Sequence, residues 1–282
     1  MTPTEIKQLL EQYGLRPVHD RGQNFLLDDG VIEKMLAAAD IKPGDKVLEI
    51  GPGLGVLTDQ LLEAGADVLA VELDPGLARI MRDRHEDNPK FQLVEGDFLS
   101  FDLQDLSTKL GSPGEGEYKI VANLPYAITS DAIKKMLTTS PKPHSVTIMI
   151  QREVAERATA QPPKSGLLSI VLQTYGQAKI VTRVPAGSFW PAPKVESAVL
   201  HISLYSSEKI SETLAGIPPE KFLKIVSQGF AQKRKQLKNT LGKQYDKKLI
   251  EQAFENAQLE PSERPERVTF EQWVTVVKTL LR

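Results

Sequence analysis

The sequence predicts an α/β protein, in which a mostly parallel sheet carries helices on both faces and a small all-α domain follows at the C-terminus. Three observations support this prediction. The first two-thirds of the 282 residues alternate short apolar runs with segments of helical spacing. Polar side chains and glycines directly follow several of those runs, and after Ile217 the spacing becomes helical throughout. Alternating strands and helices favour a parallel sheet, because the crossover helices cover its faces.

The predicted strands are short runs rich in valine, isoleucine and leucine. Five of them cover residues 46–50, 67–73, 91–98, 118–124 and 145–151, and two more cover 178–184 and 197–204. Helical spacing occupies residues 55–65, 76–86, 130–139 and 166–176. The first fifteen residues form an amphipathic helical pattern, with Thr2 as the expected cap and Pro3 in the first turn. Residues 185–197 are rich in proline, so we expect a loop there.

The C-terminal part of the chain is predicted to be a helical domain. Its helices are expected at residues 219–242, with an interruption near Gly229, at 246–259 and at 268–281. Thr269 and Gln272 have the spacing of a capping box before the last helix. Residues 206–219 have the character of a linker. We therefore predict one domain over residues 1–210, with segment 1–40 as its N-terminal cap, and a helical domain over 211–282.

Composition limits the chemistry that the chain can perform. It has no cysteine, which excludes disulfides, zinc–thiolate sites and a cysteine nucleophile, and which fits a reducing compartment. Its four histidines show no ligand spacing, so we expect no metal site. No apolar run reaches membrane-spanning length, and the N-terminus lacks the apolar core of a signal peptide. A cytoplasmic location is therefore expected.

The net charge of −2 hides an asymmetry along the chain. Residues 1–217 contain 22 basic and 29 acidic side chains, whereas residues 218–282 contain 13 basic and 8 acidic ones. Nine lysines and arginines fall between residues 221 and 248, against one acid, Asp246. A polyanion that binds the basic end would account for this difference. A solvated helix face would account for it equally well.

The first predicted strand ends in a glycine-rich turn, LEIGPGLGVLT. Gly51, Gly53 and Gly55 allow a ligand to approach the backbone closely. Dinucleotide-binding spacing would require a further glycine at position 56, which is Val56 here, and the P-loop pattern is absent. Tight packing of a helix on the strand would explain one or two of these glycines without a ligand.

Polar residues also end the strands that follow. Glu72 lies 21 residues after Gly51, where a carboxylate can accept the hydroxyls of a ribose. Asp97 ends the third strand and Asn123 the fourth. One acid after a strand is often a helix cap, but several polar groups at successive strand ends indicate a ligand site, because open α/β sheets bind ligands there. Glu49 favours a cationic ligand, and S-adenosylmethionine, a nucleoside with a positive sulfonium, fits this set.

The fourth strand runs into Asn123-Leu124-Pro125-Tyr126. Asn123 offers a carbonyl and an amide, Pro125 removes a backbone donor, and Tyr126 offers a flat face for stacking. A planar ligand rich in amine hydrogens would suit this combination. In the alternative interpretation Tyr126 is a core aromatic, and the same alternative applies to Phe189 in the proline-rich segment.

Several motifs resemble those of the ribosomal RNA adenine dimethylases of the KsgA type. Four of them occur in the same order and spacing, namely EIGPGLGVLT, VELD, GDFL and NLPY. Further similar segments are GQNFLLD and residues 151–173, 189–199, 228–241 and 264–273, so the resemblance covers about residues 16–275. The departures are small: Glu196 replaces a more frequent aspartate, and Trp190 lies inside the Phe-x-Pro loop.

The resemblance implies a Rossmann-like, S-adenosyl-L-methionine-dependent methyltransferase. Its implied reaction is dimethylation of the N6 amines of two adjacent adenosines in the 3′-terminal hairpin of small-subunit rRNA, within an immature ribosomal subunit. The catalytic residues that it implies are Asn123, Leu124, Pro125, Tyr126 and Phe189. The implied cofactor-binding residues are Asn24, Leu26, Gly51, Gly53, Glu72, Asp97 and Asn123. The implied RNA-binding residues, on one predicted helix, are Lys233, Arg234, Lys235 and Lys238.

Two other functions stay open. One is that of the related large-subunit rRNA adenine methylases that confer macrolide resistance, and the other is that of a ribosome assembly factor with the same fold but no catalysis. Segments 232–241 and 264–273 favour the small-subunit type. We expect a monomer, because no heptad pattern suggests obligate assembly.

Overall fold

The chain folds into two units, which the computed structural model describes for residues 1–16, 24–232 and 235–282. The first unit contains residues 1–155 and 179–204, and the second contains residues 156–178 and 205–282. The segment 156–178, which the sequence analysis included in the first domain, thus has most of its contacts in the second unit. The predicted boundary between two independent domains, at residues 210 and 211, stays a prediction.

A seven-stranded sheet forms the centre of the first unit. Its strands are β2 (Lys46–Ile50), β3 (Asp67–Glu72), β4 (Phe91–Glu95), β5 (Lys119–Asn123), β6 (Ser145–Gln151), β7 (Gly176–Val184) and β9 (Ser197–Leu204). They lie in the order β4-β3-β2-β5-β6-β9-β7. The strands from β2 to β6 pair in parallel, and β9 pairs antiparallel with β6. The predicted α/β sheet is therefore confirmed, with an antiparallel extension at one side.

A separate ribbon of two short strands joins distant parts of the first unit. Strand β1 (Phe25–Leu26) pairs antiparallel with β8 (Phe189–Trp190), so that Phe25 faces Trp190 and Leu26 faces Phe189. Strand β8 lies inside the proline-rich segment that was expected to be a loop. The ribbon brings residues near the N-terminus beside this segment.

The helices of the first unit follow the predicted alternation. They are α1 (Pro3–Gln12), α2 (Asp29–Ala38), α3 (Val56–Glu63), α4 (Pro75–His85), α5 (Leu103–Lys109) and α6 (Thr129–Thr138), and α7 (Arg152–Ala158) crosses into the second unit. The predicted cap of α1 is confirmed, because the Thr2 side chain accepts a hydrogen bond from Glu5 N and the Glu5 carboxylate accepts one from Thr2 N. Residues Val47–Ile50 of β2 are buried, as expected for a strand covered on both faces.

The second unit is helical in the described residues. Its helices are α8 (Leu167–Tyr175), α9 (Ser207–Thr213), α10 (Pro219–Phe230), α11 (Leu237–Leu241), α12 (Lys247–Asn256) and α13 (Phe270–Leu280). The predicted capping box of α13 is confirmed by the reciprocal bonds of Thr269 and Gln272.

Of two further predictions for the second unit, one agrees with the structure and the other was wrong. The helical segment expected over residues 219–242, with an interruption near Gly229, is two helices: α10 ends at Phe230, next to Gly229, and the backbone N–H of Leu237 donates to the Glu263 carbonyl at 2.9 Å before α11. The expected linker over residues 206–219 contains α9, whose N-terminus is capped by the Ser206 side chain. In the described ranges, no helix has the length and apolar character that would be needed to cross a membrane.

Candidate active site

A cavity of about 330 Å³ lies at the carboxyl ends of the parallel strands in the first unit. The chain moves from β2 toward β4 on one side of the sheet and from β5 toward β6 on the other, so β2 and β5 border its switch point. Open α/β sheets bind ligands at such a point. All the described residues proposed for catalysis or cofactor binding line this cavity: Asn24, Leu26, Gly51, Gly53, Glu72, Asp97, Asn123, Leu124, Pro125, Tyr126 and Phe189.

The glycine-rich turn after β2 has the backbone conformation that only glycine adopts without strain. Gly51, Gly53 and Gly55 have φ values of +67°, +61° and +84°. A Cβ atom on Gly51 would lie 3.6 Å from Cδ of Pro125. The turn after β2 and the turn after β5 are therefore in close contact across the switch point.

Glu72 ties two backbone segments of the cavity wall together. One carboxylate oxygen accepts a hydrogen bond from Gly53 N at 3.1 Å, and the other accepts one from Asp74 N at 2.8 Å. Each carboxylate oxygen has two lone pairs, so acceptor capacity remains for a ligand. Burial is the main influence on the pKa of Glu72 and raises it, and the backbone hydrogen bonds oppose this change.

Glu49 is an acid buried in the cavity wall. Its side chain lines the cavity but is only 1% exposed, and one carboxylate oxygen accepts a hydrogen bond from the Thr58 hydroxyl at 2.6 Å. Burial raises the pKa of Glu49 from its ordinary value of 4.5 to about 8. A cation in the cavity would favour the ionised form of this carboxyl group, because opposite charges stabilise each other most where water is excluded.

Asp97 caps a short helix and also lines the cavity, so its capping function does not exclude the proposed contact with a ligand. Its carboxylate accepts a hydrogen bond from Leu99 N at 2.9 Å and caps the short 3-10 helix Phe98–Ser100, and it also lines the cavity. The 3-10 helix is fixed from the other side by Lys135 of α6, whose Nζ donates to the carbonyls of Leu99, at 2.9 Å, and Phe101. Helix α6 begins directly after the turn that follows β5.

The segment Asn123-Leu124-Pro125-Tyr126 presents different groups to the cavity. The Nδ2 atom of Asn123 donates to the carbonyl of Asn24 at 3.4 Å, which leaves the Asn123 carbonyl oxygen as the acceptor of that side chain. The Leu124 side chain is only 1% exposed, and Leu124 N donates to the Met149 carbonyl at 3.1 Å. Leu124 can therefore contribute a backbone carbonyl to a ligand.

The two aromatic candidates line the same cavity but differ in burial. Tyr126 is partly exposed, and its hydroxyl forms a 2.6 Å hydrogen bond with the Ser197 hydroxyl. Phe189 is 4% exposed and packs in a hydrophobic cluster with Leu26 and Met149, among others. Phe189 is thus a core aromatic and a cavity residue at once, so the two interpretations from the sequence do not exclude each other.

The sequence analysis missed several residues of the cavity wall. Phe25, Leu73 and Phe98 line the cavity next to residues that had been proposed. Leu73 is 57% exposed although it directly follows the buried Glu72. The position of Leu73 beside an acid at a strand end could have indicated a site residue, but the exposure of Leu73 was visible only in the structure.

The two described basic candidates for RNA binding, Lys235 and Lys238, do not share one helix. Lys233 and Arg234 lie outside the described residues. Lys235 lies in a bend before α11, and Lys238 lies on α11 itself. The prediction of a single basic helix was wrong, because the chain leaves helical conformation after Phe230.

Within the described ranges, no cluster of three or more histidine, cysteine or acidic side chains could hold a metal ion.

The chain is similar to known proteins over almost its full length. A family model described as ribosomal RNA adenine dimethylase matches residues 18–281. A protein of Dehalococcoides mccartyi (strain ATCC BAA-2100), named ribosomal RNA small subunit methyltransferase A, is 37% identical over 271 residues, which are 95% of this chain and 90% of that protein. A protein of the same name from Clostridium perfringens (strain SM101) is 40% identical over 269 residues, which are 94% of this chain and 91% of that protein.

Two solved structures are similar to the whole fold. The 23S rRNA methyltransferase ErmE has a TM-score of 0.73 at 25% identity, and the match covers 92% of this chain and 100% of that one. A dimethyladenosine transferase from Plasmodium falciparum has a TM-score of 0.72 at 22% identity, with 89% of this chain and 95% of that one covered. The second similarity, at this identity, supports the fold.

Proposed function

The chain belongs to the ribosomal RNA adenine dimethylase family, and on this basis we propose that it dimethylates the N6 amines of two adjacent adenosines in the 3′-terminal hairpin of small-subunit (16S) rRNA, with S-adenosyl-L-methionine as the methyl donor. One structural observation supports this most strongly. The glycine turn, the acids of β2 and β3 and the Asn123-Leu124-Pro125-Tyr126 segment all line one cavity.

The cavity wall suits this cofactor. Glu49 is a buried acid that can face a cation, and the glycine turn permits close approach of a ligand to the backbone. In the proposal Glu72 accepts the ribose hydroxyls and Asp97 accepts a hydrogen bond from the adenine amine. S-adenosyl-L-methionine, when bound, supplies a methyl carbon that is electrophilic because it is attached to a positive sulfonium.

Asn123 and Leu124 would prepare the target amine for reaction. The lone pair of N6 is delocalised into the adenine ring, so the amine is a poor nucleophile. The Asn123 side-chain carbonyl and the Leu124 backbone carbonyl would accept the two N6 hydrogens, localise the lone pair and direct it toward the methyl carbon. As the bond from N6 to the methyl carbon forms, the bond from that carbon to sulfur would break, a neutral thioether would leave, and the proton that the amine loses would pass to solvent. Correct positioning of this kind can supply a large part of the rate enhancement.

Tyr126 and Phe189 would stack on the two faces of the extruded base. Stacking on an aromatic residue is worth about 1–3 kcal/mol per base, and removing a base from its stack costs a few kcal/mol. The balance is close to zero, so contacts elsewhere on the RNA must supply the affinity. Lys235 and Lys238, together with Lys233 and Arg234, are the proposed phosphate contacts, because lysine and arginine provide most of the electrostatic binding of nucleic acids.

The proposed physiological substrate is the immature small ribosomal subunit. Methylation in a structured hairpin that is still accessible would make the reaction a step of subunit assembly in the cytoplasm. The protein would act as a monomer in this proposal, since one chain provides both the cavity and the basic helical part.

A second candidate is methylation of large-subunit rRNA. The structural similarity to the 23S rRNA methyltransferase ErmE, with a TM-score of 0.73, supports this second candidate. The two candidates share the cofactor and the chemistry of the amine, so they differ in the RNA that presents the adenosine. The names and identities of the curated relatives favour the small subunit.

The test is to incubate the protein and labelled S-adenosyl-L-methionine with unmethylated small ribosomal subunits in one reaction and with unmethylated large subunits in another. The RNA is then digested, and the labelled nucleosides are identified and mapped. We expect N6,N6-dimethyladenosine at two adjacent positions near the 3′ end of the small-subunit rRNA. Label in the large-subunit rRNA would favour the second candidate. Binding to small subunits with no transfer would indicate an assembly factor without catalysis.

A further inference from the structure

The ring of Tyr126 is held at its far end by a buried serine. The Tyr126 hydroxyl and the Ser197 hydroxyl form a 2.6 Å hydrogen bond, and Ser197 is 0% exposed. Tyr126 lines the cavity and is partly exposed. The phenol oxygen lies on the long axis of the ring. A bond at this atom therefore fixes the direction of that axis and prevents the ring from swinging, while rotation of the ring about the axis stays possible.

Ser197 is itself rigidly placed. It is the first residue of β9 and pairs with Gln151, the last residue of β6, at the end of a continuous antiparallel ladder. Directly before it, the Glu196 carbonyl accepts a hydrogen bond from Arg152 N at 3.0 Å, and the Glu196 carboxylate forms an ion pair with the Arg152 side chain. The hydroxyl that contacts Tyr126 thus belongs to the end of an interior strand of the sheet and not to a loose loop.

The proline-rich segment 185–197, which ends at Ser197, also carries Phe189. Phe189 pairs with Leu26 in the β1–β8 ribbon, and Ser188 is fixed by its carbonyl, which accepts from Leu27 N at 2.8 Å. The Ser188 hydroxyl also donates to the Asp28 carboxylate at 3.0 Å. Phe189 and Ser197 are therefore both held by neighbouring backbone. Phe189 forms one aromatic wall of the cavity, and Ser197 contacts Tyr126, which forms the other.

We infer that Ser197 is a positioning residue for methyl transfer, which sets the direction of the Tyr126 ring so that the base lies between Tyr126 and Phe189 with its amine at Asn123. This inference rests on the proposed function. It follows from the hydrogen bond, from the burial of Ser197 and from the shared segment that carries both walls. Ser197 would not touch the substrate. Its effect would pass through Tyr126 and would leave the cofactor contacts unchanged.

The experiment is a double-mutant cycle with Ser197→Ala, Tyr126→Phe and the double variant. Tyr126→Phe keeps the ring for stacking and removes only the hydroxyl. Single-turnover methyl transfer to unmethylated small subunits is measured with saturating S-adenosyl-L-methionine. Rates are divided by the concentration of sites that bind S-adenosylhomocysteine, which corrects for unfolded protein. The matched control is Ser145→Ala, a buried serine at the opposite end of the β6–β9 ladder.

We expect each single variant to lower the transfer rate about three- to tenfold, as expected for loss of one hydrogen bond. The double variant should be no slower than either single variant, because both remove the same bond. The affinity for S-adenosylhomocysteine and the rate of Ser145→Ala should match those of the wild type. Multiplying effects in the double variant, a wild-type rate in Ser197→Ala, or an equal loss of cofactor affinity would overturn the inference. Absence of transfer by the wild type would instead overturn the proposed function.

Discussion

The hydroxyl of Thr58 donates a 2.6 Å hydrogen bond to the carboxylate of Glu49, which is 1% exposed. This bond joins the first turn of α3 to the end of β2 beneath the glycine turn. One neutral donor does not replace the water that an ionised carboxylate loses on burial. The pKa of Glu49 accordingly rises to about 8, so this carboxyl group is mostly protonated at pH 7.

The first prediction concerns stability and pH in Glu49→Gln. Because folding raises the pKa of Glu49, the folded state binds this proton more tightly than the unfolded chain. Its contribution to the free energy of unfolding is full below pH 4.5 and is lost as the pH rises through about 8. Glu49→Gln should therefore gain stability relative to the wild type between pH 5 and 8.5, by about a few kcal/mol. Denaturant unfolding at several pH values measures this difference. The exposed Glu63→Gln is the control, and an equal pH dependence in wild type and Glu49→Gln would contradict the assignment.

The second prediction concerns the protons that are released on binding. A cationic cofactor should stabilise ionised Glu49, so binding of S-adenosyl-L-methionine at pH 7 should displace its proton. The wild type should release about one proton more than Glu49→Gln. Calorimetric titrations in buffers of different ionisation enthalpy measure this number. If the two proteins release the same number of protons, Glu49 does not respond to the cofactor.

The third prediction concerns Lys135, which joins α6 to the 3-10 turn behind Asp97. Its Nζ donates to the Leu99 and Phe101 carbonyls and lies 5.3 Å from the centre of the Phe98 ring. Lys135→Met should free this turn and weaken cofactor binding about three- to tenfold, with a loss of about 1–2 kcal/mol in stability. Equilibrium dialysis with labelled S-adenosylhomocysteine measures the affinity. Lys134→Met, on the exposed side of α6, is the matched control and should bind normally. Unchanged affinity in Lys135→Met would show that the turn does not depend on this contact.

The fourth prediction concerns Gly229 in the second unit. Alanine normally stabilises a helix interior over glycine by about 1 kcal/mol. At Gly229 a Cβ atom would overlap Cη2 of Trp273 and lie 2.9 Å from Cδ1 of Leu237. Gly229→Ala should therefore destabilise the protein by about 1–3 kcal/mol. Thermal unfolding measures the effect. The double variant Gly229→Ala with Trp273→Phe should recover part of the loss, whereas additive losses would argue against the overlap.

Much of the first unit was predictable from local sequence. The bounds of β2 and β6 agree with prediction, because runs of buried apolar residues bounded by turns are local properties. The gathering of Glu72, Asp97 and Asn123 at one cavity follows from the topology of a parallel sheet, whose strand ends meet at one edge. The positions of these three residues at strand ends were therefore sufficient to predict that they share one site.

Other features depended on contacts between distant residues. The hydrogen bond between Tyr126 and Ser197 joins residues 71 positions apart, and a serine at the start of a strand has no local signature. An interruption near Gly229 was predicted, but the packing of Gly229 against Trp273 and the hydrogen bond from Leu237 N to the Glu263 carbonyl were visible only in the structure. By contrast, the start of α9 had a local signal, since serine is a favoured N-cap residue and Ser206 caps this helix.

The most direct test of the central claim is the rate of methyl transfer by Asn123→Ala. The claim is that the Asn123 carbonyl directs the target amine in a cavity that also holds the cofactor. We expect the single-turnover rate on unmethylated small subunits to fall about 100-fold or more, because loss of positioning at the reacting atom has effects of this size. Cofactor affinity should change by less than about tenfold, since a single neutral hydrogen bond contributes no more than this. Asn88→Ala, which alters an asparagine before β4, should transfer normally. A wild-type rate in Asn123→Ala would contradict the account.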